Sequence, residues 1–308
     1  MRYRRSIYRK KRIRIAILTV AVSLAVIAVL FVIIGNVVGK EVEQNKNDRN
    51  QPPVADQTPQ HAPVRAARAF PVSLSESGSS LASRLSQAAS GGYADVSFEM
   101  DTPDGMLLYA SDVAPLWGKQ STGSELWRLP DAMGQFDNLG LYSIGVVHAK
   151  DLSSENDLVR ASASGFYAAL IAEALRSGVD EVLILTQELG AQQYAELTRI
   201  ADEVHRLCPD GGYVGISLPV NLFADEQNAQ LIDSLWSSFD FLAADLTGAT
   251  EQGVDAVGYI DGTLGGMLYH LLRYELRVLI PYTNDADLAQ RIEAAVIAKN
   301  VKNIQIVR

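Results

Sequence analysis

Ser177-Gly178-Val179-Asp180-Glu181-Val182-Leu183-Ile184-Leu185-Thr186-Gln187-Glu188 is the stretch on which the fold is read. A helical run ends at Gly178, a residue suited to the left-handed turn that closes a helix. A buried strand, Val179 to Thr186, follows, and polar groups appear where it opens onto a loop. This is one unit of an alternating helix and strand pattern that repeats on both sides.

Strand-length apolar runs fall at Ala66 to Val72, Tyr93 to Met100, Leu141 to His148, Val179 to Thr186, Tyr213 to Leu218, Phe239 to Leu246, Arg277 to Tyr282 and Asn303 to Val307. Helix-length amphipathic runs lie between them, near Gly78 to Ser90, Glu125 to Phe136, Gly165 to Ser177, Ala191 to Leu207, Asn228 to Ser238, Gly265 to Glu275 and Ala286 to Asn300. In the fourth, Tyr194, Leu197, Ile200, Ala201 and Val204 recur at spacings of three and four, which places them on one face. Parallel strands joined by helices must be covered on the outside, and eight of them close into a barrel. Residues 65–308 are therefore expected to form a (β/α)8 TIM-type barrel, an α/β fold that lacks its last helix because the chain stops at the eighth strand. An open doubly wound sheet is the structural rival.

The N-terminus reads differently. Residues 1–14 carry eight basic side chains and no acidic one, and Ile15 to Gly39 carries no charge at all. Those 25 residues would span about 37 Å as a helix, enough to cross a hydrocarbon core of about 30 Å. A transmembrane signal-anchor is expected at 15–39; a cleaved signal peptide is the alternative, but its apolar region is shorter, ~7 to 15 residues. The basic residues before the span hold residues 1–14 in the cytoplasm and put the rest outside a bacterial cytoplasmic membrane. Residues 40–64 are polar and proline-bearing and read as a flexible, disordered linker.

Without the N-terminal eight, 19 Lys and Arg face 36 Asp and Glu, a formal charge of −17 for the external part. Such a surface repels nucleic acid and anionic lipid. One cysteine, Cys208, excludes an internal disulfide framework. No His-Glu-x-x-His or Cys/His cluster points to a metal, and no cofactor is implied. Gly262-Thr263-Leu264-Gly265-Gly266 matches neither glycine-rich nucleotide pattern and reads as a flexible loop.

Sites in such barrels form where the C-terminal ends of the strands meet, and side chains alternate between the helix layer and the interior. In the second strand that parity turns Val96, Phe98 and Met100 to the helices and Ser97, Glu99 and Asp101 inward. The third strand brings His148 and Lys150 to the mouth, the fourth Gln187 and Glu188, the fifth Asn221, the sixth Asp245, the seventh Tyr282 and Asn284. Glu99 with Asp245, or with Glu188, supplies the carboxylate pair that glycoside hydrolysis needs. Asp101, His148, Lys150, Gln187, Asn221, Tyr282 and Asn284 are candidate ligand contacts, and Tyr109, Trp117, Trp127 and Tyr282 candidate sugar platforms. Polar residues also collect at any barrel rim because water is there, and Asp101, Asp104, Asp151 and Asp285 are read first in that way.

Three segments together resemble a family of bacterial barrels classed as glycoside hydrolases, distantly similar to the alpha-amylase type. They are Val96-Ser97-Phe98-Glu99-Met100-Asp101-Thr102-Pro103-Asp104-Gly105 with Tyr109 beyond it, Leu141 to Asp151, and Gly178-Val179-Asp180-Glu181-Val182. The resemblance implies a glycan-directed barrel. It breaks where the family's fourth strand continues to a catalytic Asp, a Tyr and, two residues on, an Arg: here stand Leu185, Thr186 and Glu188. The fifth-strand carboxylate expected near Leu218 is also missing. Leucine can neither attack an anomeric carbon nor exchange a proton.

Three functions follow as expectations. The favoured one is a membrane-anchored, catalytically degenerate barrel that binds a cell-wall or envelope glycan. The alternatives are an active glycan hydrolase using Glu99 with Asp245 or Glu188, and a non-catalytic structural envelope protein.

Overall fold

The computed structural model describes residues 61–62, 69–122, 126–186, 191–250, 255–281, 283, 285–301 and 304–307. The basic tail, the apolar run Ile15 to Gly39 and nearly all of the linker lie outside the described residues. Thr58–Arg308 forms one compact unit.

Eight parallel strands pair in sequence order: β1 (Ala69–Val72), β2 (Asp95–Glu99), β3 (Tyr142–Val147), β4 (Glu181–Ile184), β5 (Tyr213–Pro219), β6 (Phe241–Asp245), β7 (Arg277–Pro281) and β8 (Ile304–Val307). β1 also lies against β8, so the sheet curls round on itself as a TIM-type barrel. The longer helices are α1 (Gly78–Ser90), α2 (Leu129–Asp137), α3 (Asp157–Arg176), α4 (Ala191–Leu207), α5 (Ala229–Ser238), α6 (Ala256–Gly266), α7 (Leu268–Arg273) and α8 (Ala286–Ala298).

Strand parity divides the apolar residues into two cores. Val96, Phe98, Met100, Val182, Ile184, Val214, Ile216, Leu218, Leu242, Ala244, Val278 and Ile280 pack outward with helix residues such as Leu81, Phe136, Leu197, Ile232, Ile260 and Ile292. Leu183, Phe241, Ala243 and Leu279 form a second, smaller core in the barrel lumen, with Leu185 and Tyr213 against it. Leu185 thus faces inward beside Leu183, while Val182 and Ile184 face the helices. Two separate cores from alternate residues of the same strands are what a curled sheet requires.

Two helices differ from the sequence reading. α3 begins at Asp157, eight residues before the expected Gly165, because Asn156 caps it by accepting from Leu158 N at 2.9 Å. Its first turn exposes Leu158 and Val159, which hides the helical period from a pattern read on apolar residues. The stretch Gly262 to Gly266, read as a flexible loop, is the end of α6. Ile260 and Leu264, four apart, are fully buried and hold it as a helix despite its glycines.

At the N-terminal ends of the strands the lumen is closed by charge. Glu181 opens β4 and Arg277 opens β7, three strands away, and both are almost wholly buried. Arg277 bonds both Glu181 oxygens, Nη2 to Oε2 at 2.7 Å, and Tyr142 of β3 donates its hydroxyl to Oε2 at 3.1 Å. Burial and the Glu181 charge push the Tyr142 phenol upward. The Arg277 guanidinium lies 3.6 Å from the centre of the Phe241 ring on β6. Gly215 of β5 leaves room for that ring, since a Cβ there would meet it at 2.2 Å.

Removing one partner of such a pair strands a buried charge at a cost of about 3–5 kcal/mol. Arg277→Met should therefore lower unfolding stability in urea by that amount, and adding Glu181→Gln, which still accepts from Tyr142, should restore much of it. A loss below about 1 kcal/mol for Arg277→Met would mean that water reaches the pair.

Candidate functional site at the barrel mouth

The opposite end, where the strands finish, is the mouth. β2 ends on Glu99, half-exposed, and His148 follows directly on β3, with its side chain mostly buried. His148 Nε2 lies 4.0 Å from Glu99 Oε1, too far for a direct hydrogen bond. The same Nε2 is buried and has no hydrogen-bond partner among the described residues. Burial lowers the His148 pKa, so the ring is neutral near pH 7.

Asp101 was expected at this mouth as a ligand contact. It is fully buried, and its oxygens are taken: Oδ1 accepts from His148 N at 2.7 Å and Oδ2 lies 3.4 Å from the donating Tyr167 hydroxyl of α3. The backbone N–H of Ala149 adds to these contacts, and Ala149 has φ 50°, a left-handed corner. Asp101 thus clamps the turn that carries His148. Strand parity runs on through Met100, whose N donates to Val146 O, and there an isolated antiparallel bridge between Asp101 and Leu107 takes over, which is why the inward parity does not extend to Asp101.

The segment after β2 is fixed to α3 by a second carboxylate. Glu173 accepts from Tyr109 OH at 2.9 Å, Ser111 Oγ at 2.7 Å, Asp112 N at 2.6 Å and Val113 N at 3.3 Å. Tyr109 is fully buried by this clip, so it offers no face to a sugar; burial and Glu173 push its phenol upward. Trp127 is spent on a bond from Nε1 to Glu76 O at 3.2 Å. Trp117 keeps 41% exposure and lines a rim pocket of about 250 Å³ with Lys119, Leu158, Val159, Ser162 and Phe166. Gly165 admits the indole, because a Cβ there would meet it at 2.7 Å.

The remaining candidates are scattered round the rim. Asp245 ends β6 on the inward parity, and its Oδ1 accepts from Thr247 N at 2.9 Å and Thr247 Oγ1 at 2.6 Å. Lys150 is exposed and reaches Asp104 across the β2 and β3 loops, Nζ to Oδ1 3.6 Å. Asn221 is exposed on the helical turn after β5. Asp285 caps α8 by accepting from Leu288 N at 3.1 Å. Glu188, Gln187, Tyr282 and Asn284 lie outside the described residues.

No family model matches the chain, and no curated protein matches it. Its fold is that of known barrels. It is similar to the glycoside hydrolase domain of PgaB (BpsB) from Bordetella bronchiseptica, at TM-score 0.52 and 10% identity, over 79% of this chain and 94% of that one. It is also similar to the catalytic domain of the beta-amylase from Paenibacillus polymyxa, at TM-score 0.51 and 8% identity, over 80% and 93%. Glycoside hydrolase domains therefore share its TIM-like barrel fold.

The sequence motifs had more in them than the mouth. Asp180, in the Gly-Val-Asp-Glu-Val segment, accepts from Ser143 N at 2.7 Å and Ser143 Oγ at 2.8 Å and ties β3 to the start of β4. Two adjacent carboxylates before a strand were the available signal: one clips a neighbouring strand and the other, Glu181, enters the lumen.

Burial raises the Asp101 pKa from 3.8 to about 7. A folded-state value above the unfolded one means that the folded chain binds the extra proton, so this contribution is present at low pH and is lost as pH rises through about 7. The size is on the order of 4 kcal/mol at most. Thermal unfolding of Asp101→Asn, which keeps an acceptor for His148 N, should lose less stability between pH 5 and pH 8 than the native chain. Equal losses in the two would show that Asp101 ionises freely.

Proposed function

We propose that this protein is a membrane-anchored, extracytoplasmic barrel that binds a cell-wall or envelope glycan at its mouth and has lost hydrolytic chemistry. The observation that carries the reading is the Glu99 and His148 pair. A sugar hydroxyl beside them could donate to the Glu99 carboxylate while accepting from a protonated Nε2–H of the neutral His148 ring. That would give a buried imidazole nitrogen its missing partner, which is a source of binding free energy.

The loss of chemistry is argued from two positions. Leu185 occupies the lumen where the family resemblance calls for a carboxylate, and it packs on Leu183, Phe241, Ala243 and Leu279. Asp245, the partner available on the inward parity, has one oxygen engaged by Thr247. The shared fold of two glycan-cleaving domains supports carbohydrate as the ligand class by analogy only. Anchoring rests on the uncharged run Ile15 to Gly39 behind a basic tail.

Binding of soluble peptidoglycan fragments and of chito-, cello- and malto-oligosaccharides, followed by calorimetry, tests the reading. One class should bind, Glu99→Gln and His148→Ala should each weaken it by about tenfold, a loss of about 1.4 kcal/mol, and no product should appear. Binding should hold between pH 7 and pH 8 and weaken below the ordinary histidine value, as the lowered His148 pKa is crossed from above. Hydrolysis by the native chain that disappears in Glu99→Gln would replace this reading with the active hydrolase.

A further inference from the structure

The far end of the barrel carries a surface that the mouth does not explain. The chain reaches the barrel there: Ala62 N donates to Asp240 O at 2.8 Å, and His61 stacks on Trp236 of α5 with ring centres 3.8 Å apart. Trp236 packs edge-on against Tyr274 at 5.8 Å, and Tyr274 stacks on His270 of α7 at 6.0 Å. A ladder of rings thus connects the arriving chain to α7. On α7, Leu268, Tyr269 and Leu272 are 42%, 63% and 68% exposed. Ile297, near the end of α8, is also exposed, and Lys299 just beyond it pairs with Asp261 of α6 at 3.0 Å. α7 runs directly into β7, so these apolar side chains lie at the N-terminal ends of the strands.

We propose that the α7 face is a lipid-contacting surface, which rests on the bilayer and turns the mouth away from it. The proposal depends on the anchoring reading given above. Leucine and tyrosine are suited to the interface between water and hydrocarbon, where the phenol keeps its hydroxyl wet. Arg273 sits over the rings of Tyr269 and Tyr274 and pairs with Asp233 at 2.8 Å, so its own charge is opposed on this face.

The length of chain before His61 decides the occupant. If the run to Gly39 lies in a bilayer, the roughly 20 residues before His61 can span at most about 70 Å. That holds the barrel near the surface at an effective concentration in the mM range, so a contact too weak to recruit a free protein would still be made. The −17 charge of the external part opposes attraction to anionic headgroups, so the attraction in the contact is apolar and does not weaken as salt is added.

The test uses the full chain in phosphatidylcholine nanodiscs, with Cys208→Ser and a nitroxide attached at Leu272→Cys or, at the mouth side, at Leu116→Cys, itself 82% exposed. Oxygen partitions into lipid and nickel chelate into water. The oxygen-to-nickel accessibility ratio should be several-fold higher at 272 than at 116, and Tyr269→Ser should lower it. Equal ratios would overturn the proposal while leaving the anchor intact. A label at 272 shielded from both reagents would assign the face to a protein partner, such as a second copy, and would overturn it too. A chain washed from bilayers by alkaline carbonate would sink the anchoring reading and this one with it.

Discussion

The barrel depends on filling its lumen, and the Glu181–Arg277 pair does so at the end where the strands begin. Their residues come from β4 and β7 and can meet only if the sheet curls. The Coulomb attraction in a dry interior is large, but so is the cost of removing both groups from water. The pair is therefore better regarded as a constraint than as a source of stability: it demands that β4 and β7 keep a register in which both first residues face inward. Tyr142, Phe241 and Gly215 complete that layer by hydrogen bond, ring contact and open space.

The same parity, carried along the strands, determines the mouth. With Glu181 inward, Leu183 and Leu185 follow. In β2 and β6, each two strands away, the alternation carries Ser97 to Glu99 and Phe241 through Ala243 to Asp245. Beyond the ladders, two carboxylates fix the loops: Asp101 clamps the corner that bears His148, and Glu173 gathers the donors of residues 109–113. Ladder and clamp thus fix the strand ends that carry Glu99 and His148.

The strands were legible because each is a short, bounded apolar run with a consistent parity; the starts and ends moved by only a few residues. Helices buried on one clean face, such as α4, were also legible. α3 and α6 were harder, the first because its opening turn shows Leu158 and Val159 to solvent, the second because glycines mask a buried Ile260 and Leu264. At the site, parity was enough to place Glu99 and Asp245 inward. It failed for Asp101 because a loop bridge replaces the ladder there. The role of Tyr109 was hidden for another reason: its partner Glu173 is 64 residues away in sequence. The Glu181–Arg277 contact spans 96, and neither leaves a local pattern.

On the proposed reading, ligand is held between Glu99 and His148. The chain has four histidines, His61, His148, His205 and His270. His205 is bonded to Asp240 at 3.0 Å, and His61 and His270 belong to the ring ladder at the far end of the barrel, so among the four only His148 reports the mouth. The most direct measurement is the imidazole nitrogen spectrum of histidine-labelled protein titrated with the glycan that binds. A shift of the His148 Nε2 resonance, with the other three unmoved, is the predicted result; saturation of binding with His148 unchanged would contradict it.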